Sequence, residues 1–438
     1  MIINKTKSYC FDCETDHDAV YKVSDGRVLF EIDCPAGPEE VLISTDPDLF
    51  IKIREKNTVQ LGTLFHNSIS QTNLIEITDN CNFDCNICYA QSTIQDNPKY
   101  VSVDQVLALA RTLKDRNITQ VTITGGEPTV HPDVTEIISR LAKMGFNITM
   151  PTNGLLLGKD PTLAKRLRES KLKLCHIQFD SLKRDTHMKI RANDTINYKI
   201  EAFNNAKDAG LEFTAIATII KDNLPEVADI VEFCSGWSPY INAVLLLTAM
   251  PAGRFHLEEK DLVNREEIIN QLIDSKKIKG LNSDHFWPIP RFKPLWLNVH
   301  PDCAAILFLA VINKELRPLD DFMDIKKLYS RLDKSPFKMS YLRGALSFIL
   351  SFLRSVRPGH FFSVLKMIYG TFRKKGRHAI LLVVVESFVR KGCNDRQRID
   401  HCATMHVMPD GELVPGCVYN HPDPRRHKIT RNIQKTIS

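Results

Sequence analysis

The sequence has no uninterrupted apolar run of about 18 residues, so no membrane-spanning helix is expected. Its first residues, MIINKTKSYC, hold neither an apolar h-region nor a cleavage site, and the expectation is a cytoplasmic chain without a secretory signal. Internal repeats and low-complexity tracts are lacking. No recognisable nucleic-acid module is present, and a net charge of +6 over 438 residues is too mild to stand as an electrostatic footprint. Nucleic acid is therefore not an expected partner. With 43% hydrophobic and 25% charged residues the chain is globular, sized for one large domain and one or two small modules. Cysteine is what it does not lack: there are twelve. In a chain without a secretory signal, clustered cysteines point to metal rather than to disulfides.

Four segments follow from the pattern. Residues 1–50 form a small Cys-bearing unit. Cys10 and Cys13 make a Cys-x-x-Cys pair, AVYKVSDGRVLFEI reads as a hairpin turning at Asp25-Gly26, and Cys34 follows it. This resembles half of a rubredoxin-like or zinc-ribbon site for Fe or Zn, with three ligands legible and the fourth not; the other reading is a ribbon whose thiols are spare. Residues 70–255 alternate apolar runs (NLIEIT, QVTITGG, NITMPTNG, LCHIQFD, EFTAIATII, INAVLLL) with amphipathic stretches such as VDQVLALARTLKDR. Strand followed by helix, six times, predicts an α/β fold: a parallel, partial (βα)6 barrel with ligands at the C-terminal ends of its strands. Residues 256–390 read as a mixed Pro-rich and apolar-basic helical region. Its later part lies in a membrane interface, lines a greasy tunnel, or is ordinary core-facing helix. Residues 391–438 carry Cys393, Cys402 and Cys417 around a hairpin turn at Asp410-Gly411.

The densest chemistry is CNFDCNICYA, with Cys81, Cys85 and Cys88 on one loop after the first core strand. Three thiolates can hold three irons of a [4Fe–4S] cube and leave the fourth iron open, as a catalytic site requires. Zinc is the rival, although it usually takes paired Cys-x-x-Cys knuckles. Cys-x3-Cys-x2-Cys followed by Tyr89 resembles the loop of the radical S-adenosylmethionine (radical SAM) superfamily. TITGGEP, with Gly125, Gly126 and Glu127, is similar to that family's GGE motif. The resemblance implies a [4Fe–4S] cluster, SAM bound at its open iron, and reductive cleavage to a radical that abstracts hydrogen from an unactivated C–H bond. It further implies that Glu127 meets the methionyl ammonium and that Asn153 ends the third strand near SAM. Asp180 and Ser181 would contact the ribose, and Arg191 would lie near the SAM carboxylate. Thr218 and Asn223 would sit at the cofactor rim and Tyr89 near the adenine. An external electron donor of flavodoxin or ferredoxin type is implied as a partner.

Cys175 and Cys234 read as buried small hydrophobes. Four thiols remain, Cys303, Cys393, Cys402 and Cys417, enough for a second [4Fe–4S] cluster. The C-terminal stretch resembles the auxiliary-cluster hairpin of several radical SAM families, without the Cys-x2-Cys-x5-Cys tail of the full pattern. The whole layout resembles a mainly archaeal family of pterin methyltransferases and tetraether lipid synthases, the latter coupling unactivated alkyl carbons. CPAGP stands where that family has CPEHG, and its Cys-rich stretch before the loop is missing, which makes this a divergent member. No cobalamin-binding domain is visible, and RNIQKTIS lacks the Gly-Gly of molybdenum-cofactor cyclases. Three readings result. The first is a radical enzyme acting on a lipid or other apolar substrate, with peripheral membrane contact; the second is a peptide-modifying radical enzyme. The third, a non-catalytic electron-transfer protein, is disfavoured by the SAM-binding set.

Overall fold

The computed structural model describes residues 1–35, 39–56, 72–289, 299–333, 341–374, 376–390 and 392–421. The Pro-rich stretch 290–298 and residues 422–438 of the C-terminal unit lie outside them.

The N-terminal unit is an antiparallel meander: β1 (Ile2–Cys10), β2 (Thr15–Ser24), β3 (Arg27–Ile32) and β4 (Glu39–Ser44). The expected hairpin is its centre, with Ser24 opposite Arg27 across the Asp25-Gly26 turn. Helix α1 (Pro47–Glu55) closes the unit. The Asp46 side chain accepts from Leu49 N, and Pro47 opens the first turn where a missing N–H costs nothing.

The core alternates as expected. Its strands are β5 (Thr72–Glu76), a two-residue β6 (Ile87–Cys88), β7 (Gln120–Thr124), β8 (Asn147–Thr152), β9 (Leu174–Gln178), β10 (Phe213–Ile219) and β11 (Ile241–Thr248). Between them run α2 (Val103–Asp115), α3 (Val134–Lys143), α4 (Leu155–Lys159), α5 (Pro161–Glu169), α6 (Arg184–Arg191), α7 (Ile196–Asp208) and α8 (Val227–Ser235). Strands β5, β7, β8, β9, β10 and β11 pair in parallel in that order. Helix α3 buries Val134, Ile137, Ile138 and Leu141, the i, i+3, i+4, i+7 stripe that lays a helix on a sheet. A Ser102–Gln105 capping box fixes the start of α2.

Beyond β11 the structure departs from the expected helical region. After β12 (Arg254–Phe255) and α9 (Arg265–Asp274) come β13 (Phe286–Pro288), β14 (Ala304–Ile312) and β15 (Glu315–Pro318). Helices α10 (Ile325–Asp333), α11 (Tyr341–Leu353) and α12 (Phe361–Arg373) then lead into β16 (His378–Glu386). Residues 378–386, expected as part of an apolar-basic helical stretch, are thus a strand. Within HAILLVVVE, AILLVVV is an unbroken apolar run rich in β-branched residues, suited to burial between two neighbours, and β16 lies parallel to β11 and antiparallel to β14. After α13 (Arg396–Asp400), β17 (Thr404–Val407) joins the other side, parallel to β5, followed by β18 (Leu413–Pro415) and α14 (Gly416–Tyr419). The six expected parallel strands are therefore flanked by β16 and β17 in one large sheet. Among the described residues no helix is long and apolar enough to cross a membrane.

Candidate active site

The Cys81–Cys88 loop leaves the C-terminal end of β5 and is fastened from several sides. Cys81 N donates to Thr93 O at 3.0 Å, and Asn86 N donates to Ile190 O at 3.1 Å. Arg254, from β12 beside β6, donates through Nε to Cys85 O at 2.6 Å and through its terminal amine to Ser92 O at 2.7 Å. No local pattern in the sequence marked Arg254, because its partners lie about 165 residues away. Gly125 and Gly126 bring the end of β7 against this loop. A Cβ on Gly125 would stand 2.1 Å from Thr78 O, and one on Gly126 2.2 Å from Asn80 O. Gly126 N and Glu127 N instead donate to those two carbonyls at 2.9 Å each. Any side chain would push the GGE segment off the loop.

Cys81, Cys85 and Cys88 line one cavity of about 230 Å³ with Tyr89, Gly125, Gly126, Glu127, Asn153, Arg191 and Thr218. All three thiols are free of disulfides. Burial pushes the Cys81 thiol up to about 12 and also raises Cys85, which the Arg191 guanidinium partly offsets. Thiols held this way ionise when a bound cation compensates them. Glu127 is buried and braced: its carboxylate accepts from Thr129 N at 3.1 Å, Thr152 Oγ1 at 2.7 Å and Asn153 N at 2.7 Å. Burial still raises its pKa. Behind this wall Lys199 is fully buried, donating to Asn153 O and Gln178 O, and burial lowers its pKa to about 8.

Three expected contacts, Asp180, Ser181 and Asn223, do not line the cavity. Asp180 is fully buried and clamped by Arg191, Nε to Oδ2 and the terminal amine to Oδ1, both at 2.8 Å. Ser181, equally buried, donates to Glu226 Oε2 at 2.7 Å. The β9 residues that do line the cavity are His176 and Gln178, two positions apart on the same face of the strand. Asn223 also supports from behind, donating to Asp180 O at 2.8 Å and Thr218 O at 2.9 Å.

A second cavity of about 360 Å³ shares Tyr89, Leu247, Met250 and Phe388 with the first. Cys303, Cys402 and Cys417 line it. A hydrogen bond with Cys402 and burial push the Cys417 thiol up. Cys393 is not gathered with them. It is fully buried in the N-terminal unit's core, its Sγ 3.9 Å from the Tyr21 hydroxyl. Of the four thiols expected to form one set, the structure gathers three at this cavity. Glu386, at the end of β16, also lines this cavity, and burial raises its carboxyl to about 7.

In the N-terminal unit Cys13 and Cys34 lie 3.2 Å apart and Cys34 and Cys10 3.3 Å apart. Cys10, Cys13, Cys34 and His17 offer four ligand atoms all within 4.8 Å of one another. His17 Nε2 is buried and makes no hydrogen bond among the described residues. His17, on β2 with no Cys beside it, thus offers the fourth donor atom that the sequence reading lacked. Tetrahedral zinc with bonds of about 2.3 Å has sulfur–sulfur edges of about 3.8 Å, so these thiols stand somewhat closer together than a bound ion would hold them.

Residues 75–234 match the Radical SAM superfamily model. A probable GTP 3′,8-cyclase from Saccharolobus islandicus is 32% identical over 219 residues, covering 49% of this chain and 68% of that one. The chain belongs to the radical SAM superfamily. It is accordingly an enzyme of the class that cleaves SAM reductively with a [4Fe–4S] cluster. A 7,8-dihydro-6-hydroxymethylpterin dimethyltransferase from Methanocaldococcus jannaschii is 23% identical along 95% of this chain and 93% of that one. Among solved structures, Streptococcus suis SuiB bound to its precursor peptide SuiA overlaps 61% of this chain and 69% of its own, at 14% identity and a TM-score of 0.41. The donor set fits the radical SAM cofactors: three free thiols share one cavity with the glycine-backed GGE wall.

Proposed function

We propose that Cys81, Cys85 and Cys88 hold the cluster, and that Tyr89, Gly125–Glu127, Asn153, Arg191 and Thr218 form the SAM wall. The adjoining cavity then takes the substrate. The observation that carries this reading is that one cavity collects all of these residues and shares apolar lining with a second. When bound, the cofactor pair supplies a 5′-deoxyadenosyl radical that takes hydrogen from an unactivated C–H bond, using one electron from an external flavodoxin- or ferredoxin-type donor. The chain's own residues position and shield. Arg254 pins the cysteine loop, Glu127 ties the ends of β7 and β8 together, and Leu247, Met250 and Phe388 present apolar surface at the shared wall. Leu74, Ile289, Val299 and Ala304 continue that surface, which favours a lipid or other long-chain apolar substrate. Cys303, Cys402 and Cys417 would hold a second [4Fe–4S] cluster on the far wall.

The test is 5′-deoxyadenosine release from SAM by anaerobically reconstituted protein with dithionite, alone and with cell lipid extract, a dihydropterin or a peptide library. The expected result is product raised several-fold by lipid. No product under any condition sinks the SAM assignment. Stimulation by peptide or pterin but not by lipid overturns the apolar substrate.

The Cys3His set at the N-terminus suits zinc better than iron, which favours four thiolates in a rubredoxin-like site. Purified protein is expected to retain about one zinc per chain at this unit. His17→Ala is expected to lower retained zinc by at least half and to lower the melting temperature, while iron bound elsewhere stays unchanged. Elemental analysis of wild type and variant checks this; equal zinc in both removes His17 from the set.

A further inference from the structure

From Lys334 to Val385 the chain carries ten Lys or Arg and no Asp or Glu. Within that stretch α12 has two opposed faces. Val364, Met367 and Gly370 are buried, Val364 and Met367 in the core shared with β14 and β16. On the other side Phe361, Phe362, Leu365, Tyr369 and Phe372 are exposed, Phe362 at 75% and Phe372 at 79%. At 100° per residue these five fall within about a 100° stripe. Exposed aromatics in such a stripe are unusual for a helix facing water. A groove of about 350 Å³ runs between α12 and the start of β16, where Phe362, Leu365 and Tyr369 meet Lys366, Arg377 and His378. Among the described residues Arg354, Lys366, Arg373 and Arg377 form no ion pair, and all four are exposed. Helix α11 carries a second exposed apolar set, Leu346, Ile349 and Leu350.

The charge decides what covers this face. A second copy of the chain would bring Arg354, Lys366, Arg373 and Arg377 against the same four cations, with no Asp or Glu in the segment to pair them. An anionic, extended surface with an apolar layer beneath it meets both features at once: phosphates for the Lys and Arg, the headgroup–acyl boundary for the aromatics. Helix α12, at 13 residues, is about 20 Å long and can lie in that boundary but not cross it.

We propose that α12, with its groove against β16, docks this enzyme on the surface of a bilayer bearing anionic headgroups. Phe361, Phe362 and Phe372 enter the headgroup–acyl boundary, and Lys366, Arg373 and Arg377 meet lipid phosphates. This goes beyond the chemistry at the cysteine loop, and it is tested without SAM or reductant, so the two stand or fall separately. The core beneath α12 includes Ala304 and Val384, and Ala304 also lines the cavity assigned to the substrate. Docking would therefore bring that cavity close to a lipid reservoir.

The experiment is flotation of the full-length protein with vesicles of phosphatidylcholine alone or with 30% phosphatidylglycerol, at low and high salt. Wild type is expected to bind the anionic vesicles at least 10-fold more tightly, with binding falling as salt rises. Phe362→Ser/Phe372→Ser and Lys366→Glu/Arg373→Glu are each expected to lose at least 10-fold. Both pairs replace exposed side chains, and unchanged thermal melts will show that they fold. Absence of binding to anionic vesicles overturns the proposal, as does binding that neither variant weakens. Equal binding to neutral and anionic vesicles overturns the charge pairing on which it rests. A wild-type dimer in sedimentation that the Phe362→Ser/Phe372→Ser protein lacks would assign the face to a second copy instead.

Discussion

Cys85→Ala protein, reconstituted with iron and sulfide, is expected to release 5′-deoxyadenosine from SAM at least about 10³-fold more slowly than wild type, because two thiolates no longer fix a cube with a single open iron. Its retained iron should fall together with the sulfide-to-iron absorption. Cys85 sits where Arg254 holds its carbonyl and Arg191 faces its thiol, so its removal changes the ligand set at a braced position. Cys175→Ala is the matched control. Cys175 is fully buried in the main core, so the variant is expected to lose some stability, about 1 kcal/mol, while keeping iron and turnover. Liquid chromatography of the nucleoside product, with iron measured on the same samples, reads both. Turnover by Cys85→Ala at the wild-type rate would remove the loop from the chemistry.

Arg191→Met is expected to be the most destabilising single change near the site, by about 3–5 kcal/mol, because it leaves the Asp180 carboxylate buried without its cation. Burial alone would push Asp180 up, but the bidentate Arg191 outweighs it and holds the carboxyl at about 2. That value lies below the ordinary carboxylate range. The pair's stabilisation is therefore present above about pH 4 and is lost as pH falls through 2. Without Arg191 the sign reverses: the buried carboxyl prefers its proton, and the variant loses stability as pH rises. The melting-temperature gap between wild type and Arg191→Met is thus expected to be widest near pH 7 and to narrow toward pH 4. Asp180→Asn added to Arg191→Met is expected to recover part of the loss at pH 7, since it removes the stranded charge. A gap independent of pH would show that Arg191 acts through packing rather than through its ion pair.

The parallel core was legible because its strands are apolar runs of five to eight residues, each followed by an amphipathic stretch. The cysteine loop and GGE segment were legible because each is contiguous in sequence. What escaped depends on distance along the chain. Arg254 reaches the loop from about 165 residues away, and β17 reaches β5 from more than 300. His17 is separated from Cys34 by a hairpin that only the folded meander brings round. Cys393 was grouped with Cys303, Cys402 and Cys417 because those four thiols were left over, yet it lies in the N-terminal unit's core beside Tyr21. Asp180 and Ser181 follow a strand end as expected, but the strand stops at Gln178 and both side chains are fully buried outside the cavity lining. The apolar run of β16 had no period to separate a buried strand from a buried helix.

The pairing of β17 with β5 has a consequence in time. Thr404, Met405 and His406 lie beside Thr72, Asn73 and Leu74, while Asn394 and Asp395 bind Tyr9, Thr6 and Tyr21 of the N-terminal unit. During synthesis β5 has no neighbour on that side, and the meander has no floor, until about residue 400 has left the ribosome. Loops this long close slowly and reward the chain late. The parallel core from β5 to β11 can therefore pair before its outer neighbour β17 arrives, and the sheet is closed on that side last.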